Sequence, residues 1–414
     1  MLCSRRLREK QAPILQLEEF TLKSVLKFMI KSMIIDCKGL DQLISVLNGM
    51  GFQVVGPTVR DEAIVYENLN SINDLPEGWT DEQEGGTYRL KRRPDKALFG
   101  YVVGPHSWKK FLHPPERRLF QANLKDGDFE IIPEKLEAPK FAFLGVRSCE
   151  LHAIAIQDKV FLGGGHVDAS YKIRRGNAFL IVVQCGQSAA TCFCTSMNTG
   201  PRAESGFDLA LTEILDKENH HFVVEVGSDQ GNAVMEKILY RQATGEDVMQ
   251  AKKLTEDVAN KMKRTLDTTK IKELLYENLE HPQWKDIADR CLSCANCTMV
   301  CPTCFCSTVE DVTDIIGDHA ERWQKWDSCF TMDFTHLHGG DVRASTQSRY
   351  RQWLTHKLAS WQDQFDSSGC VGCGRCITWC PVAIDLTEEI PKIRDSKNQD
   401  THPPIGNEAR HEIS

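Results

Sequence analysis

No run in this 414-residue chain is long and apolar enough to cross a bilayer. Basic excess is missing too. The 50 Lys and Arg are outweighed by 58 Asp and Glu, for a net charge of −8, which excludes a general nucleic-acid binder, since such proteins neutralise phosphates with a basic face. There is no phosphate-loop lysine, no G-x-G-x-x-G after a strand, no H-E-x-x-H and no convincing nucleophile–base pair. Gly163-Gly-Gly-His166 reads as a turn. Gly227-Ser-Asp-Gln-Gly231 reads as a strand-to-helix turn rather than a phosphate cradle. The 13 histidines are scattered, and His336 and His338, beside a Gly-Gly turn, read as solvent-facing. Bond-making chemistry on an organic substrate has no signature here.

Cysteine, by contrast, is abundant at 17 residues and ordered by spacing. Cys291-Leu-Ser-Cys294-Ala-Asn-Cys297-Thr-Met-Val-Cys301-Pro302 and Cys370-Val-Gly-Cys373-Gly-Arg-Cys376-Ile-Thr-Trp-Cys380-Pro381 repeat one phrase, C-x2-C-x2-C-x3-C-P. Bacterial-type ferredoxins use that run to hold [4Fe–4S] clusters, and its fourth cysteine serves the other cluster. The spacing therefore predicts crossed ligation: Cys291, Cys294, Cys297 and Cys380 for one cluster, and Cys370, Cys373, Cys376 and Cys301 for a second. Structural zinc sites pair two C-x2-C knuckles instead. Cysteines packed this densely also make poor long-loop staples, so disulfides are disfavoured and a reducing, cytoplasmic interior is expected.

Upstream of the motifs, apolar strands alternate with helices. Helical spacing marks Asp41 to Asn48, and strands are expected at Phe52 to Val55, Ala63 to Tyr66, Phe141 to Val146, Ala178 to Val183 and Phe222 to Val226, with helices at Glu150 to Ile156 and Leu209 to Leu215. This pattern predicts an α/β domain over 33–244 with partly parallel strands. A polar helical stretch with Val258, Met262, Leu266, Ile271 and Leu275 on one stripe leads into the first motif. The motifs are separated by 68 residues, 302–369, in which Tyr350, Trp353, Leu354, Leu358 and Trp361 fall at helical spacing behind an N-cap at Ser345 or Thr346. The expectation is an all-α two-cluster domain, of α-helical ferredoxin type, over 245–394. Residues 1–32 read as a weakly ordered extension or an upstream start. Ser4-Arg-Arg-Leu7 there lacks the apolar stretch of a twin-arginine signal. Residues 395–414 read as a polar tail.

Nine cysteines remain. Cys3 and Cys37 look incidental. Cys149 and Cys185 each follow a predicted strand, and Cys192 and Cys194 lie in the loop beyond. Sites in parallel sheets collect at the carboxyl ends of strands, so these four are candidate ligands of a third [4Fe–4S] cluster, the alternative being ordinary buried cysteines. Cys304, Cys306 and Cys329 lack a local fourth partner. They are weaker candidates, better suited to shielding a neighbouring cluster and tuning its potential.

The segments Gly145-Val-Arg-Ser-Cys149-Glu-Leu, Thr191-Cys-Phe-Cys194-Thr-Ser-Met-Asn-Thr-Gly-Pro201, Cys301-Pro-Thr-Cys-Phe-Cys306 and Gly369-Cys-Val-Gly-Cys-Gly-Arg-Cys376 resemble the beta subunit of cytoplasmic sulfhydrogenases, the NAD(P)-linked nickel–iron hydrogenases. They are also similar to the related two-cluster subunit of anaerobic sulfite reductase. The resemblance runs from about Met33 to Leu386, with Ser148 standing where many relatives have proline. It implies an electron-transfer subunit without catalytic residues of its own. Such a subunit relays single electrons between a flavin- and NAD(P)-binding subunit and the hydrogenase small and large subunits. Two other functions stay open: the same relay in a sulfite or polysulfide reductase, and a structural or redox-sensing iron–sulfur protein.

Overall fold

The computed structural model describes residues 32–216 and 219–396. The expected extension over 1–32, except Ser32, and the expected tail, except residues 395–396, lie outside the described residues, as does Cys3. The fold begins with strand β1 (Ser32–Asp36) and helix α1 (Cys37–Gly49), where the Asp36 carboxylate caps the helix by accepting from Gly39 N at 2.8 Å. Next come β2 (Gln53–Arg60) and β3 (Ala63–Asn68), then two hairpins, β4 (Trp79–Glu84) with β5 (Thr87–Arg92) and β6 (Glu116–Lys125) with β7 (Asp128–Pro133). The chain continues through β8 (Phe141–Val146), α2 (Ser148–Phe161), α3 (Ala169–Gly176), β9 (Phe179–Val183), β10 (Leu209–Leu215), β11 (His220–Val226), α4 (Asp229–Met235) and β12 (Arg241–Gln242).

An eight-stranded mixed sheet, ordered β12-β1-β11-β10-β9-β8-β2-β3, organises this part. Its four central strands, β10, β9, β8 and β2, run parallel, and antiparallel strands flank them on both sides. Every residue of β8 and β9 is buried, as expected of strands covered on both faces. Leu40, Leu43 and Leu47 of α1 cover one face, and Trp108 with Leu151 and Ile154 of α2 cover the other. The strand at Leu209–Leu215 corrects the expected helix there. Leu-Ala-Leu-Thr-Glu-Ile-Leu is rich in helix formers, but pairing with β9 and β11 in the buried sheet overrides local propensity.

The second half is helical around the two motifs: α5 (Gly245–Lys261), α6 (Ile271–Glu277), α7 (Gln283–Arg290), α8 (Asn296–Met299), and, after the first motif, α9 (Thr346–Thr355), α10 (Trp361–Phe365), α11 (Arg375–Thr378) and α12 (Leu386–Ser396). It is not, however, an all-α domain, and that expectation is overturned. Between the motifs lie strands Ser307–Thr313 and His319–Trp326, here β13 and β14. They pair with each other and, through Ala320 opposite Ala122, with β6, giving a four-stranded antiparallel sheet β13-β14-β6-β7. These strands are polar, β13 mostly exposed and β14 half-buried, so they carry no apolar alternation by which a sequence betrays a strand.

A buried ion pair ties the halves together. Arg375, from the second motif, and Glu150, from α2, are both almost fully buried and paired. Glu150 also accepts from Tyr66 Oη at 2.9 Å, Trp108 Nε1 at 3.1 Å and Arg147 N at 3.1 Å. Arg375 donates to the carbonyls of Gly104 and His106, each at 2.8 Å. Removing one partner of such a pair strands a buried charge, at a cost of about 3–5 kcal/mol. Glu150→Leu should therefore lower the urea-unfolding midpoint of the iron-loaded protein markedly, and adding Arg375→Met should recover part of the loss. An unshifted midpoint in the single variant would show that the pair is dispensable.

Candidate metal centres

The repeated cysteine phrase folds as a repeated backbone. In the first motif Ser293 and Ala295 have φ of 51° and 65°, and in the second Gly372 and Gly374, at the same places, have φ of 64° and 77°. Each loop then runs into a one-turn helix, α8 or α11. The left-handed turns curl the backbone around the first thiol, so that Ser293 N lies 3.4 Å from Cys291 Sγ and Gly372 N lies 3.5 Å from Cys370 Sγ. Ile384 N donates to Cys380 Sγ at 3.3 Å. Amide donors directed at cysteine sulfur are the groups that tune iron–sulfur potentials.

The thiols gather in three groups. Cys291, Cys294 and Cys297 line one cavity with Cys380, from the end of the other motif, and Phe330, Tyr350 and Trp353 form its apolar wall. Cys294 is exposed, so this group reaches the surface. In the second group, burial pushes the Cys376 thiol well up, and the neighbouring Cys370, Cys373 and Cys301 add to the shift. Cys297 is a further neighbour of Cys376, which also lines the first cavity. In the third group burial likewise raises Cys149, with Cys373, Cys194 and Cys185 among the charges around it. Burial also pushes the Cys192 thiol up to about 12, with Cys185 and Cys373 nearby. Cys149 and Cys185 sit just past the carboxyl ends of the adjacent strands β8 and β9. The Thr191–Cys194 loop is bonded onto the second motif by Phe193 N to Gly372 O at 2.9 Å and a Thr191–Thr378 hydroxyl pair at 2.9 Å. Ser148, at the start of α2, donates Oγ to Arg202 O at 3.0 Å.

Cys304, Cys306 and Cys329 lie beside the first two groups, with Cys329 next to Cys297. Cys304 lies against Cys301, and Cys329 lies near Cys306, its thiol raised to about 12 first by burial. What surrounds them is cationic. Lys357 Nζ donates to Cys301 Sγ at 3.3 Å, Thr303 Oγ1 at 2.9 Å and Gly369 O at 3.2 Å, and Lys109 Nζ donates to Cys304 O at 3.1 Å. Both lysines are buried. A π-turn at His356–Ser360, between α9 and α10, turns Lys357 inward beside Leu358 and Ala359. Sequence reasoning missed these lysines, because a lysine inside a helical run reads as a solvated face.

The donor set fits a polynuclear group. Among the described residues no group of three His, Cys, Asp or Glu side chains is placed to hold a single metal ion. In the first cavity Tyr350 Oη and Trp353 Nε1 are buried without a hydrogen-bond partner, as is Arg375 Nη1 beside Cys373. Buried donors of this kind demand acceptors, and the inorganic sulfides of a cluster are acceptors of the right place and charge.

The family described as a 4Fe-4S dicluster domain matches residues 290–384, which span both motifs. With the repeated loops, this defines an iron–sulfur protein that carries a 4Fe-4S dicluster domain of the electron-transfer kind. Over 346 residues, 83% of this chain and 92% of the relative, the sequence is 30% identical to sulfhydrogenase 2 subunit beta of Pyrococcus furiosus. The chain belongs to the sulfhydrogenase beta-subunit family. No solved structure matches it. No helix among the described residues is long and apolar enough to cross a membrane.

The two motifs differ in what they tolerate. A Cβ on Gly374 would lie 2.4 Å from Thr191 O, and one on Gly372 would lie 2.7 Å from Cys194 Cα, whereas the first motif already carries side chains at both places. Gly374→Ala should part the second motif from the Thr191–Cys194 loop and lower iron content, while Ala295→Gly should leave it unchanged. Full iron in purified Gly374→Ala would count against this packing.

Proposed function

We propose that the protein is the electron-transfer subunit of a hydrogenase-type oxidoreductase, relaying single electrons between a flavin- and NAD(P)-binding subunit and the hydrogenase small and large subunits in the cytoplasm. Cys291, Cys294, Cys297 and Cys380 would hold one [4Fe–4S] cluster, Cys370, Cys373, Cys376 and Cys301 a second, and Cys149, Cys185, Cys192 and Cys194 a third. Bound clusters of this type supply one-electron carriers to a flavin that exchanges electron pairs. The observation that carries the reading is contiguity. Cys376 links the first group to the second, and Cys373 links the second to the third.

The chain's own residues have three tasks here. The thiols bind, the apolar wall of Phe330 and Trp353 excludes water, and the exposed Cys294 marks where a partner's carrier comes close. Buried Lys357 and Arg375 face the inner groups with fixed positive charge, which favours the more negative, reduced state there. Cys304, Cys306 and Cys329 are assigned to shielding rather than ligation. A sulfite or polysulfide reductase would use the same relay, and the partner recovered with the intact complex separates the two. A purely structural or sensing role predicts clusters that a flavoprotein partner with NAD(P)H fails to reduce.

Iron and acid-labile sulfide should approach about twelve of each per chain for three cubanes and about eight for two. Cys149→Ser should lose about four irons, and an unchanged iron content would remove the third cluster. Cys380→Ser should alter the EPR signal of the cluster held by Cys291, Cys294 and Cys297. A change confined to the cluster of Cys370, Cys373 and Cys376 would disprove crossed ligation.

A further inference from the structure

Outside the three thiol groups, three strands along the large sheet from β9, stands another cysteine. Cys37 is the first residue of α1, directly after β1, and it is partly exposed. Its Sγ lies 3.3 Å from His220 Nδ1, across 183 positions of sequence, on β11. His220 Nε2 in turn lies 2.8 Å from Glu213 Oε1 on β10. Glu213 is itself fixed, accepting from Leu98 N at 2.6 Å and Phe99 N at 2.9 Å. Thiol, base and orienting carboxylate are therefore aligned by three separate elements, the arrangement that activates a nucleophile.

The hydrogen bonds fix the orientation of the ring. A carboxylate only accepts, so Nε2 carries a proton, and Nδ1 is left to face sulfur. Burial lowers the His220 imidazole, but its bonds to Cys37 and Glu213 outweigh burial and push it up to about 9. The amino terminus of a 13-residue helix adds positive potential at the sulfur. A surface pocket lined by Asp36, Lys38, His220, His221 and Arg241 adjoins the site on the histidine side, and Cys37 itself is partly exposed.

We infer that the thiol of Cys37, held by His220 and Glu213, is a site of reversible S-thiolation by low-molecular-weight disulfides. As the Cys37 proton passes to His220, its sulfur attacks one sulfur of the disulfide, a new S–S bond to Cys37 forms as the old one breaks, and the departing thiolate takes up that proton. The disulfide is the oxidant, and one small thiol leaves per chain modified. His220 is the base that faces the thiol, and Glu213 holds the ring in place.

The test treats the iron-loaded protein with iodoacetamide, and separately with glutathione disulfide, following the Cys37 peptide by mass spectrometry. Labelling of Cys37 should precede that of every other cysteine and outpace free glutathione. It should slow about tenfold or more in His220→Gln, which keeps a polar side chain but takes no proton. Glu213→Gln should slow it less, and iron content should match the wild type in both. Equal labelling rates in wild type and His220→Gln, or Cys37 reacting no faster than glutathione, would overturn the proposal. If His220→Gln fails to fold, the Glu213→Gln variant and the comparison with glutathione still decide it.

Discussion

One buried ion pair sets the relation between everything else. Arg375 belongs to the second cysteine loop, yet its guanidinium is spent on Glu150 and on two carbonyls of the first half of the chain. Glu150 follows Cys149 directly, and Arg375 stands between Cys373 and Cys376. A charge pair that cannot be left half-made thus fixes one thiol group against another. The Thr191–Cys194 loop, packed on Gly372 and Gly374, extends the same junction. Two pieces that a reader of the sequence separates into domains therefore share one interior, and Cys149, Cys192, Cys194 and Cys373 belong to one buried cluster with Val102 and Trp361.

What the sequence revealed and what it hid divide along physical lines. The motif cysteines were legible because their spacing encodes loop geometry: two left-handed residues and a one-turn helix recur in both copies. Buried strands such as Phe141–Val146 were legible because they are apolar throughout. The β13–β14 hairpin was not, since its strands are polar, one mostly exposed and one half-buried, and its partner β6 lies nearly 200 residues earlier. Nor was β10, whose composition favours helix until its neighbours are known. Lys357, Lys109 and Tyr350 were invisible as site residues, because a side chain's inward turn depends on tertiary packing. The pairing of Cys37 with His220 crosses 183 positions, and no local pattern reports it.

The thiol groups sit in unlike surroundings. The outer cavity is walled by aromatic and aliphatic side chains and has an exposed cysteine at its rim. The inner groups lie among buried lysine and arginine side chains, anchored by backbone carbonyls on every side. Buried charges such as these are screened less by solvent and salt than those at the surface. The same four-cysteine phrase is thereby placed in two different electrostatic settings, and the difference comes from residues that are not part of the phrase.

The cavity shared by Cys291, Cys294, Cys297 and Cys380 has a consequence for biogenesis. Its walls come from both ends of the helical half, so no such chamber exists on the ribosome until the second motif has emerged. The hairpin β13–β14 must meanwhile find β6, made long before. Assembly of the chain and completion of its thiol chambers therefore become a single late event, and a nascent chain truncated before residue 380 would hold the first three thiols against their aromatic wall but without the side of the cavity that Cys380, Val382, Ile384 and Leu386 supply.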